Sequence, residues 1–233
     1  MEREILIMKA DLHIHTNFSY DGLPSPKEVV EAALLKKIDC LAICDHGQIK
    51  GAIEAQEFAK GKKILVIPGI EIKSKEGDIL GLNIRTKIPD SLSAKETIEK
   101  IIKFGGLPVI AHPFDFFLAF REIEKYGSFF RERGVAIEAF NASLFFNFSN
   151  FEAQEFAKKY NLPFTAGSDS HSTEFIGKAY LEIPKENLKI EEVLEEIKKK
   201  NAKISFEKIS NWEKFGDHLK RNIAKLRMRN LIK

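Results

Sequence analysis

The sequence has few cysteines and no long apolar run. Its two cysteines, Cys40 and Cys44, are too few for the disulfide framework of a small secreted protein, and we expect both to be buried rather than metal-bound. No segment offers the roughly eighteen uncharged apolar residues that a membrane span needs. The first residues mix charges with a short apolar run, so no signal sequence is predicted. We therefore expect a cytoplasmic protein with no membrane partner.

The chain also lacks an excess of one charge and any linker rich in Ser and Gly or in Pro. Its 37 basic and 34 acidic residues leave a formal net charge of +3, which indicates a mixed surface without a dedicated polyanion-binding face. At 233 residues, with 44% hydrophobic and 30% charged residues, the composition is typical of one globular domain with a packed core.

Short β-branched or apolar runs alternate with longer amphipathic stretches from residue 10 to about 206. This alternation is typical of repeated βα units around parallel strands, so the predicted fold class is α/β. The number of strands favours a closed barrel over a small open sheet. The seven predicted strands lie at residues 10–14, 40–43, 64–67, 108–111, 135–140, 164–166 and 178–183.

Local signals predict where two helices begin and where the chain reverses. Ser25 with Glu28, and Ser93 with Glu96, form the S-x-x-E pattern of a capping box. Pro26 suits the first position of a helix. The run IEIKSKEGDILGLNI, residues 70–84, predicts two strands around a Lys-Glu-Gly turn.

Residues 207–233 are predicted to form a basic helix that follows a barrel of residues 1–206. One interpretation packs this helix on the barrel, and the other makes it an anion-binding tail. His218 is interpreted as an ordinary surface residue of the helix. The basic residues that stand among its apolar positions are Lys214, Lys220, Arg221, Lys225, Arg227 and Arg229.

Five of the six histidines fall at or directly after the ends of predicted strands. In a βα barrel these strand ends and the loops that follow them converge on one face, so residues distant in sequence meet there. Alternation along the first strand sends His13 and His15 to the same side, roughly 7 Å apart at the backbone, where two imidazoles can chelate one ion. The other three are His46, His112 and His171.

Acidic residues accompany these histidines at the strand ends. Asp21 stands in a Ser-Tyr-Asp-Gly turn, Glu71 ends Pro-Gly-Ile-Glu, and Asp169 stands two residues before the last of these histidines. Imidazole with carboxylate is the ligand set of zinc, manganese and iron. These ligands exceed the needs of one tetrahedral zinc, so at least two divalent ions are predicted. Such a site activates water and holds both oxygens of an in-line displacement at phosphorus.

These motifs resemble those of the PHP family, the polymerase and histidinol phosphatase family. They occur in order as DLHIHT, CDH, PGIE, AHP and GSDSH between about residues 10 and 183. The resemblance implies a single-domain, distorted seven-stranded (β/α)7 TIM-like barrel with a trinuclear site. It also implies a phosphoesterase, because the family includes histidinol phosphatases, nucleotide phosphoesterases, exoribonucleases and proofreading modules of some bacterial polymerases.

Carried over position by position, the resemblance assigns ligands to the first two ions. His13, His15, Glu71 and Asp169 would hold the first ion. Glu71 would bridge to the second ion, which His112 would also bind.

The resemblance assigns Asp21, His46 and His171 to a third ion. This chain departs from the family at the hairpin, where many members have a histidine before Leu-Leu-Gly and Asp78 stands here before Ile-Leu-Gly. A carboxylate can also ligate, so Asp78 is kept as a ligand of the second ion.

Only about forty residues separate Glu71 from the Ala-His-Pro motif, which leaves no room for the cap domain of the nucleotide-hydrolysing branch.

The source of a phosphate-binding side chain is a second departure. The strand that resembles the family's site strand ends at Asn141, but Ser143 stands where relatives often have arginine. The candidates for the anchor, chosen by their nearness to motifs, are Lys73, Arg85 and Lys178.

Phenylalanines are dense after the Ala-His-Pro motif and around the strand that ends at Asn141. Core packing explains some of them, while a wall on which a nucleobase stacks, or an oligomer contact, is the competing interpretation of the rest. They are Phe114, Phe116, Phe117, Phe120, Phe129, Phe130, Phe145, Phe146, Phe148 and Phe151.

The favoured function is hydrolysis of a small phosphomonoester or nucleotide by attack of a metal-bound hydroxide, with Glu71, Asp169 and His112 in catalytic roles. Exonucleolytic cleavage of short oligonucleotides, from either end, is the nearest alternative. A non-catalytic barrel in an RNA-protein assembly would have lost ligands that this chain retains. A metal-dependent amidohydrolase would share the His-x-His pair and a late aspartate but lack the Asp45-His46 and Gly-Ser-Asp-Ser-His patterns.

Overall fold

A computed structural model of the chain describes residues 7–231, except for the side chains of residue 218 and residues 223–231. Over this range the chain forms nine strands and seven α-helices, with a short 3-10 helix at Ile123–Tyr126. The strands are β1 (Met8–Ile14), β2 (Cys40–Ile43), β3 (Leu65–Lys73), β4 (Asp78–Leu82), β5 (Leu107–Ile110), β6 (Ala136–Asn141), β7 (Phe164–Gly167), β8 (Ala179–Ile183) and β9 (Lys203–Phe206). The helices are α1 (Pro26–Leu35), α2 (Lys50–Ala59), α3 (Ala94–Lys103), α4 (Gly127–Arg133), α5 (Asn147–Lys159), α6 (Ile190–Lys198) and α7 (Asn211–Leu231).

The nine strands of the described range form one nearly closed sheet in the order β7-β6-β5-β4-β3-β2-β1-β8-β9. Closure occurs where the chain just after β7 meets the carboxyl end of β1. There the backbone N–H of His15 donates to Ser170 O, and that of Asp169 donates to His13 O, both at 2.8 Å. Ile14 and Ser170 form a parallel bridge at the same point. The seam therefore lies between β1 and β7, beside the predicted ligands.

The mixed α/β class and the barrel-like sheet are confirmed, but the predicted seven-stranded (β/α)7 barrel is wrong. β4 is antiparallel to both β3 and β5. β8 is antiparallel to β1, and β9 is antiparallel to β8, so these two strands continue the sheet beyond β1. The reversal at β4 has a simple cause, because a tight turn joins only antiparallel neighbours whereas a parallel strand needs a long crossover.

The predicted strands lie within two residues of β1, β2, β5, β6, β7 and β8, and the predicted hairpin is present. The third predicted strand and the first hairpin strand are one continuous strand, β3. Its first half pairs parallel with β2 as far as Pro68, and its second half pairs with β4 from Gly69 onward. β9, the four residues KISF, was not predicted.

Both predicted capping boxes are confirmed. Ser25 caps α1 and Ser93 caps α3, each accepting a hydrogen bond from the backbone N–H of the glutamate three residues later. In return, the carboxylates of Glu28 and Glu96 accept from the backbone N–H of the capping serines. These bonds satisfy N–H groups that have no partner within the helix and fix where each helix begins.

Apolar side chains pack on both faces of the sheet. Leu12 belongs to a group that joins the strands to α6, Phe130 to a group beneath α3, α4 and α5, and Val30 to a group beneath α1 and α2. Cys40 and Cys44 are buried free thiols, as expected. Burial raises the pKa of both thiols, which disfavours the thiolate that a metal ligand needs.

The last helix, α7, contacts the barrel through polar side chains. Lys214 donates to the backbone carbonyl of Leu144, and Lys220 donates to both carboxylate oxygens of Glu174 at 3.1 Å.

The division into residues 1–206 and 207–233 stays a prediction. None of the helices in the described range combines the length and apolar character that crossing a membrane requires. The side chains of His218, Lys225, Arg227 and Arg229 lie outside those described.

The capping box of α3 gives a stability prediction. Ser93→Ala should lower the free energy of unfolding by about 1 kcal/mol, because the backbone N–H of Glu96 loses its acceptor. Ser93→Asp keeps an acceptor oxygen and should stay close to the unsubstituted protein. Urea denaturation followed by circular dichroism measures both. Equal stability of the alanine and aspartate variants would contradict this role of the cap.

Candidate metal centre

All nine predicted metal ligands meet at one end of the barrel, where the parallel strands have their carboxyl ends and the antiparallel β4 begins with Asp78. They surround a cleft of about 430 Å³, which seven of them line. His13 and His15 are fully buried and contact Glu71 and Asp169, which do line the cleft. The seven that line the cleft are Asp21, His46, Glu71, Asp78, His112, Asp169 and His171.

The side chains of the four predicted ligands of the first ion lie close to one another. His13 Nε2 lies 3.0 Å from His15 Nε2. Glu71 Oε2 lies 3.5 and 3.3 Å from these two nitrogens, and Asp169 Oδ1 lies 3.6 and 3.3 Å from them. A regular tetrahedron with edges of about 3.3 Å has its centre about 2.0 Å from each corner, which is the bond length of zinc to nitrogen and oxygen. These five distances are close to the ligand separations around one such ion, and donor atoms of His13, His15 and Glu71 all lie within 4.8 Å of one another.

The backbone brings these ligands together by close approach and by unusual conformations. Gly167 lies against β1, where an added Cβ would stand 2.5 Å from the Cβ of His13. His112 and Asp169 have positive φ angles of 28° and 50°, which side-chain-bearing residues rarely adopt. Strain of this kind persists where the surrounding structure enforces it and is commonly found at functional sites.

The second predicted position lies on the other side of the Glu71 carboxylate. Glu71 Oε1 is 3.2 Å from His112 Nε2, while Oε2 faces the first position. Donor atoms of Glu71, Asp78 and His112 lie within 4.8 Å of one another. The other ring nitrogen of His112, Nδ1, is buried and has no hydrogen-bond partner among the described residues. The two oxygens of Glu71 thus face separate groups, as a bridging carboxylate requires.

The third predicted position is arranged differently. Asp21 Oδ1 lies 3.4 Å from both His46 Nε2 and His171 Nε2. Arg221 of α7 also reaches this point, with its Nη2 2.9 Å from Asp21 Oδ2 and 2.9 Å from His171 Nε2. From the sequence, Arg221 was assigned only to the basic C-terminal helix, and its place beside the predicted ligands was not predicted.

Glu138 supports the ligands and was not identified from the sequence. Its Oε1 lies 2.9 Å from His13 Nδ1, and its Oε2 accepts from the backbone N–H of His112 at 2.7 Å. Asn141 donates to the same carboxylate at 3.0 Å. A carboxylate behind a ligating imidazole fixes the ring's orientation and tautomer. The signal was present in β6, where Glu138 is the one charged residue of a largely apolar strand.

Two other predicted features have structural roles. Asp45, beside His46, accepts hydrogen bonds from the backbone N–H and the hydroxyl of Thr16, both at 2.7 Å, and so holds the loop after β1. Ser143, in the place of the family's arginine, donates to Asp169 Oδ2 at 2.8 Å and steadies that carboxylate.

Of the three predicted phosphate anchors, only Lys73 lines the cleft. Lys178 forms an ion pair with Glu207, and Arg85 is exposed and outside the cleft lining. The cleft therefore has Lys73 and Arg221 as cationic side chains among its lining residues.

Charge pairing governs ionisation in the cluster. Burial alone would raise the pKa of Glu71 and Asp169, yet nearby imidazoles hold the pKa of both well below the usual range. Burial opposes protonation of His112, but its hydrogen bond to Glu71 raises its pKa to about 9. Burial and the adjacent Glu71 carboxylate raise the pKa of Asp78 to about 6. Protonated imidazoles thus neutralise the negative charge of the buried carboxylates in the metal-free cluster. A bound cation can neutralise the same charge.

The phenylalanines divide between the core and the surface. Phe120 and Phe130 are buried, and Phe114 packs against the same group. By contrast, Phe116 and Phe117 are 74% and 77% exposed. Phe116 contacts the half-exposed Phe146 with ring centroids 5.8 Å apart.

Comparison with known proteins gives consistent results. A family model described as PHP-associated matches residues 147–202. The uncharacterized protein MJ1587 of Methanocaldococcus jannaschii is 40% identical over 117 residues, which cover 46% of this chain and 68% of that protein. The uncharacterized protein MJ0417 of the same organism is 31% identical over 185 residues, covering 78% and 73%. A 5'-3' exoribonuclease of Haemophilus influenzae is 44% identical over 79 residues, 32% of this chain and 28% of that protein.

Two solved structures share the fold. One is a two-domain protein of Bacteroides vulgatus that contains a predicted PHP-like metal-dependent phosphoesterase, with a TM-score of 0.72, 19% identity and coverage of 86% of this chain and 65% of that one. The other is PsfC of Pseudomonas syringae, with a TM-score of 0.67, 16% identity and coverage of 95% and 99%. At these identities the matches show the fold alone. With the relatives and the family model, they establish that the chain belongs to the PHP family.

Proposed function

We propose that this protein is a metal-dependent phosphoesterase that hydrolyses a small phosphomonoester or a nucleotide. The observation that carries the proposal is the close approach of two buried imidazoles and two carboxylates, in which His13 Nε2 and His15 Nε2 each lie within 3.6 Å of Glu71 Oε2 and Asp169 Oδ1. Two buried imidazole nitrogens and two carboxylate oxygens at these separations are a costly arrangement without a shared cation. The cleft above them is open enough to admit a phosphate ester.

The donor set fits zinc, manganese or iron at two positions. His13, His15, Glu71 and Asp169 would hold one ion, and Glu71, Asp78 and His112 would hold the other. Bound divalent ions supply two kinds of help to ester hydrolysis, a lower pKa for water and neutralisation of charge on the phosphoryl oxygens. Glu71, Asp169 and His112 remain the predicted catalytic residues.

The chain's own side chains then position the ligands and the substrate. Glu138 orients His13, and Asn141 and Ser143 hold Asp169, so the ligands have little freedom to rearrange. Lys73, in the cleft wall, is placed to attract a phosphate group electrostatically. The formal net charge of the whole chain is only +3. The positive charge of Lys73 in the cleft therefore provides the local attraction for an anionic substrate.

An exonuclease acting on short single-stranded oligonucleotides is the second candidate. The exposed Phe116 and Phe117 favour it, because aromatic faces bind unstacked bases. The similarity to a 5'-3' exoribonuclease, although it spans only 32% of this chain, points the same way. Parallel assays with an aryl phosphate, mononucleotides, end-labelled oligonucleotides and an amide substrate separate these candidates from each other and from an amidohydrolase.

Removal of one ligand charge tests the proposed function. Asp169→Asn should reduce phosphate release by about a hundredfold or more while the circular dichroism spectrum stays unchanged. Asp39→Asn is the matched control, because Asp39 accepts from Lys9 N at the opposite end of β1 and should leave turnover unchanged. Chelation should abolish activity and added Mn²⁺ or Zn²⁺ should restore it. Full activity of Asp169→Asn would rule out the proposed centre.

The carboxylate behind His13 gives a separate prediction. Glu138→Gln keeps the shape of the side chain but removes the charge beside His13 Nδ1, and should weaken metal affinity about 10-fold to 100-fold. Glu182→Gln, the same change on β8 away from the cleft, should have no effect. Competition with a fluorescent chelator measures both affinities. Identical affinity of the two variants would show that Glu138 does not tune the site.

Protonated imidazoles predict a pH dependence of metal binding. His112 has a pKa raised to about 9, so at pH 7 the metal-free ring carries a proton that a metal must displace. Affinity should therefore rise between pH 7 and about 9, and binding should release protons. Isothermal titration calorimetry in two buffers of different ionisation enthalpy measures that release. A heat independent of the buffer would contradict this account.

A further inference from the structure

Arg221 enters the cleft from α7 at the place where the family resemblance implies a third metal ion. Its Nη2 lies 2.9 Å from Asp21 Oδ2 and 2.9 Å from His171 Nε2. These two residues are two of the three predicted ligands of the third ion. The guanidinium is only 18% exposed, and both partners are 2% exposed. This contact is therefore a buried one and not a loose surface ion pair.

The tautomer of His171 decides what its Nε2 can bind. His171 Nδ1 lies 3.0 Å from the backbone carbonyl oxygen of Asp169, which can only accept, so Nδ1 carries the proton. In the neutral ring Nε2 is then the acceptor, and its lone pair takes the hydrogen bond from the guanidinium. A metal ion would need that same lone pair at about 2.0–2.1 Å. The ion and the guanidinium cannot both use it.

The charge of Arg221 is permanent. A guanidinium stays protonated at any pH at which proteins are folded, and it is less strongly hydrated than an ammonium group, which suits it to buried ion pairs. Paired with Asp21, it places one positive charge at the third position. Arg221 Nη2 donates to both Asp21 Oδ2 and His171 Nε2, so one nitrogen of the guanidinium bridges the two residues.

The anchoring of α7 supports this placement. Lys214, two turns before Arg221, donates to the carbonyl of Leu144, and Lys220 bonds to Glu174. The helix is thus attached to the loop between β6 and α5 and to the loop between β7 and β8. Asp21 Oδ1 lies 3.4 Å from both imidazoles of the third position, but the guanidinium already occupies Asp21 Oδ2 and the lone pair of His171 Nε2 that an ion there would need.

We propose that the guanidinium of Arg221 takes the place of the third cation, so that the centre holds two metal ions and one arginine. The inference rests on the proposed metal-dependent function and specifies how its third position is filled. The first two positions are unaffected, because no contact joins Arg221 to His13, His15 or His112 among the described side chains.

Metal stoichiometry tests the proposal without relying on activity. The full chain is stripped with chelator, saturated with Mn²⁺ or with Zn²⁺, passed through a desalting column and analysed by inductively coupled plasma mass spectrometry. We expect two ions per chain for the unsubstituted protein and three for Arg221→Ala. Lys220→Ala is the matched control, since it removes one charge from the same helix outside the ligands, and it should retain two.

The outcomes are distinct. Three ions in the unsubstituted protein, or two in Arg221→Ala despite intact folding, would overturn the proposal while leaving the metal-dependent function standing. No bound ion in any variant would overturn both. If Arg221→Ala does not fold, Arg221→Gln provides the same test, because it is neutral and similar in reach. A third ion in that variant would support the proposal, and its absence would count against it.

Discussion

Buried carboxylates and imidazoles within bonding distance of one another are the constraint on which the rest of this structure depends. Glu71 and Glu138 are buried and the Asp169 side chain is 13% exposed, so these carboxylates lie where an isolated charge is expensive. His13 and His15 are buried among them and can compensate only as protonated rings or as ligands of a shared cation. The strands, turns and supporting hydrogen bonds around them hold this balance of charge in place.

Much of this arrangement could be predicted because it is encoded locally. Strand alternation put His13 and His15 on one side, and S-x-x-E patterns marked the starts of α1 and α3. The Lys-Glu-Gly turn revealed the hairpin that carries Glu71. In each case the interacting residues lie within a few positions of one another in the sequence. A short sequence pattern is therefore enough to predict the interaction.

The features that were missed depend on contacts between distant parts of the chain. Glu138 is an ordinary strand residue until folding sets it behind His13, 125 positions away. Arg221 is 200 positions from Asp21, and its helix has the composition of any basic surface helix. The seven-stranded barrel failed for a similar reason, since the addition of β8 and β9 beyond β1 follows from pairing that no single segment specifies.

The seam between β1 and β7 has a consequence for the order of events in the cell. Ligands from the first strand meet Asp169 and His171 only when the segment after β7 has docked, through the bonds from His15 to Ser170 and from Asp169 to His13. A ribosome delivers the first of these partners long before the last. The full ligand set of the first ion is therefore complete only after the barrel has closed, so the affinity of the finished site is reached only then.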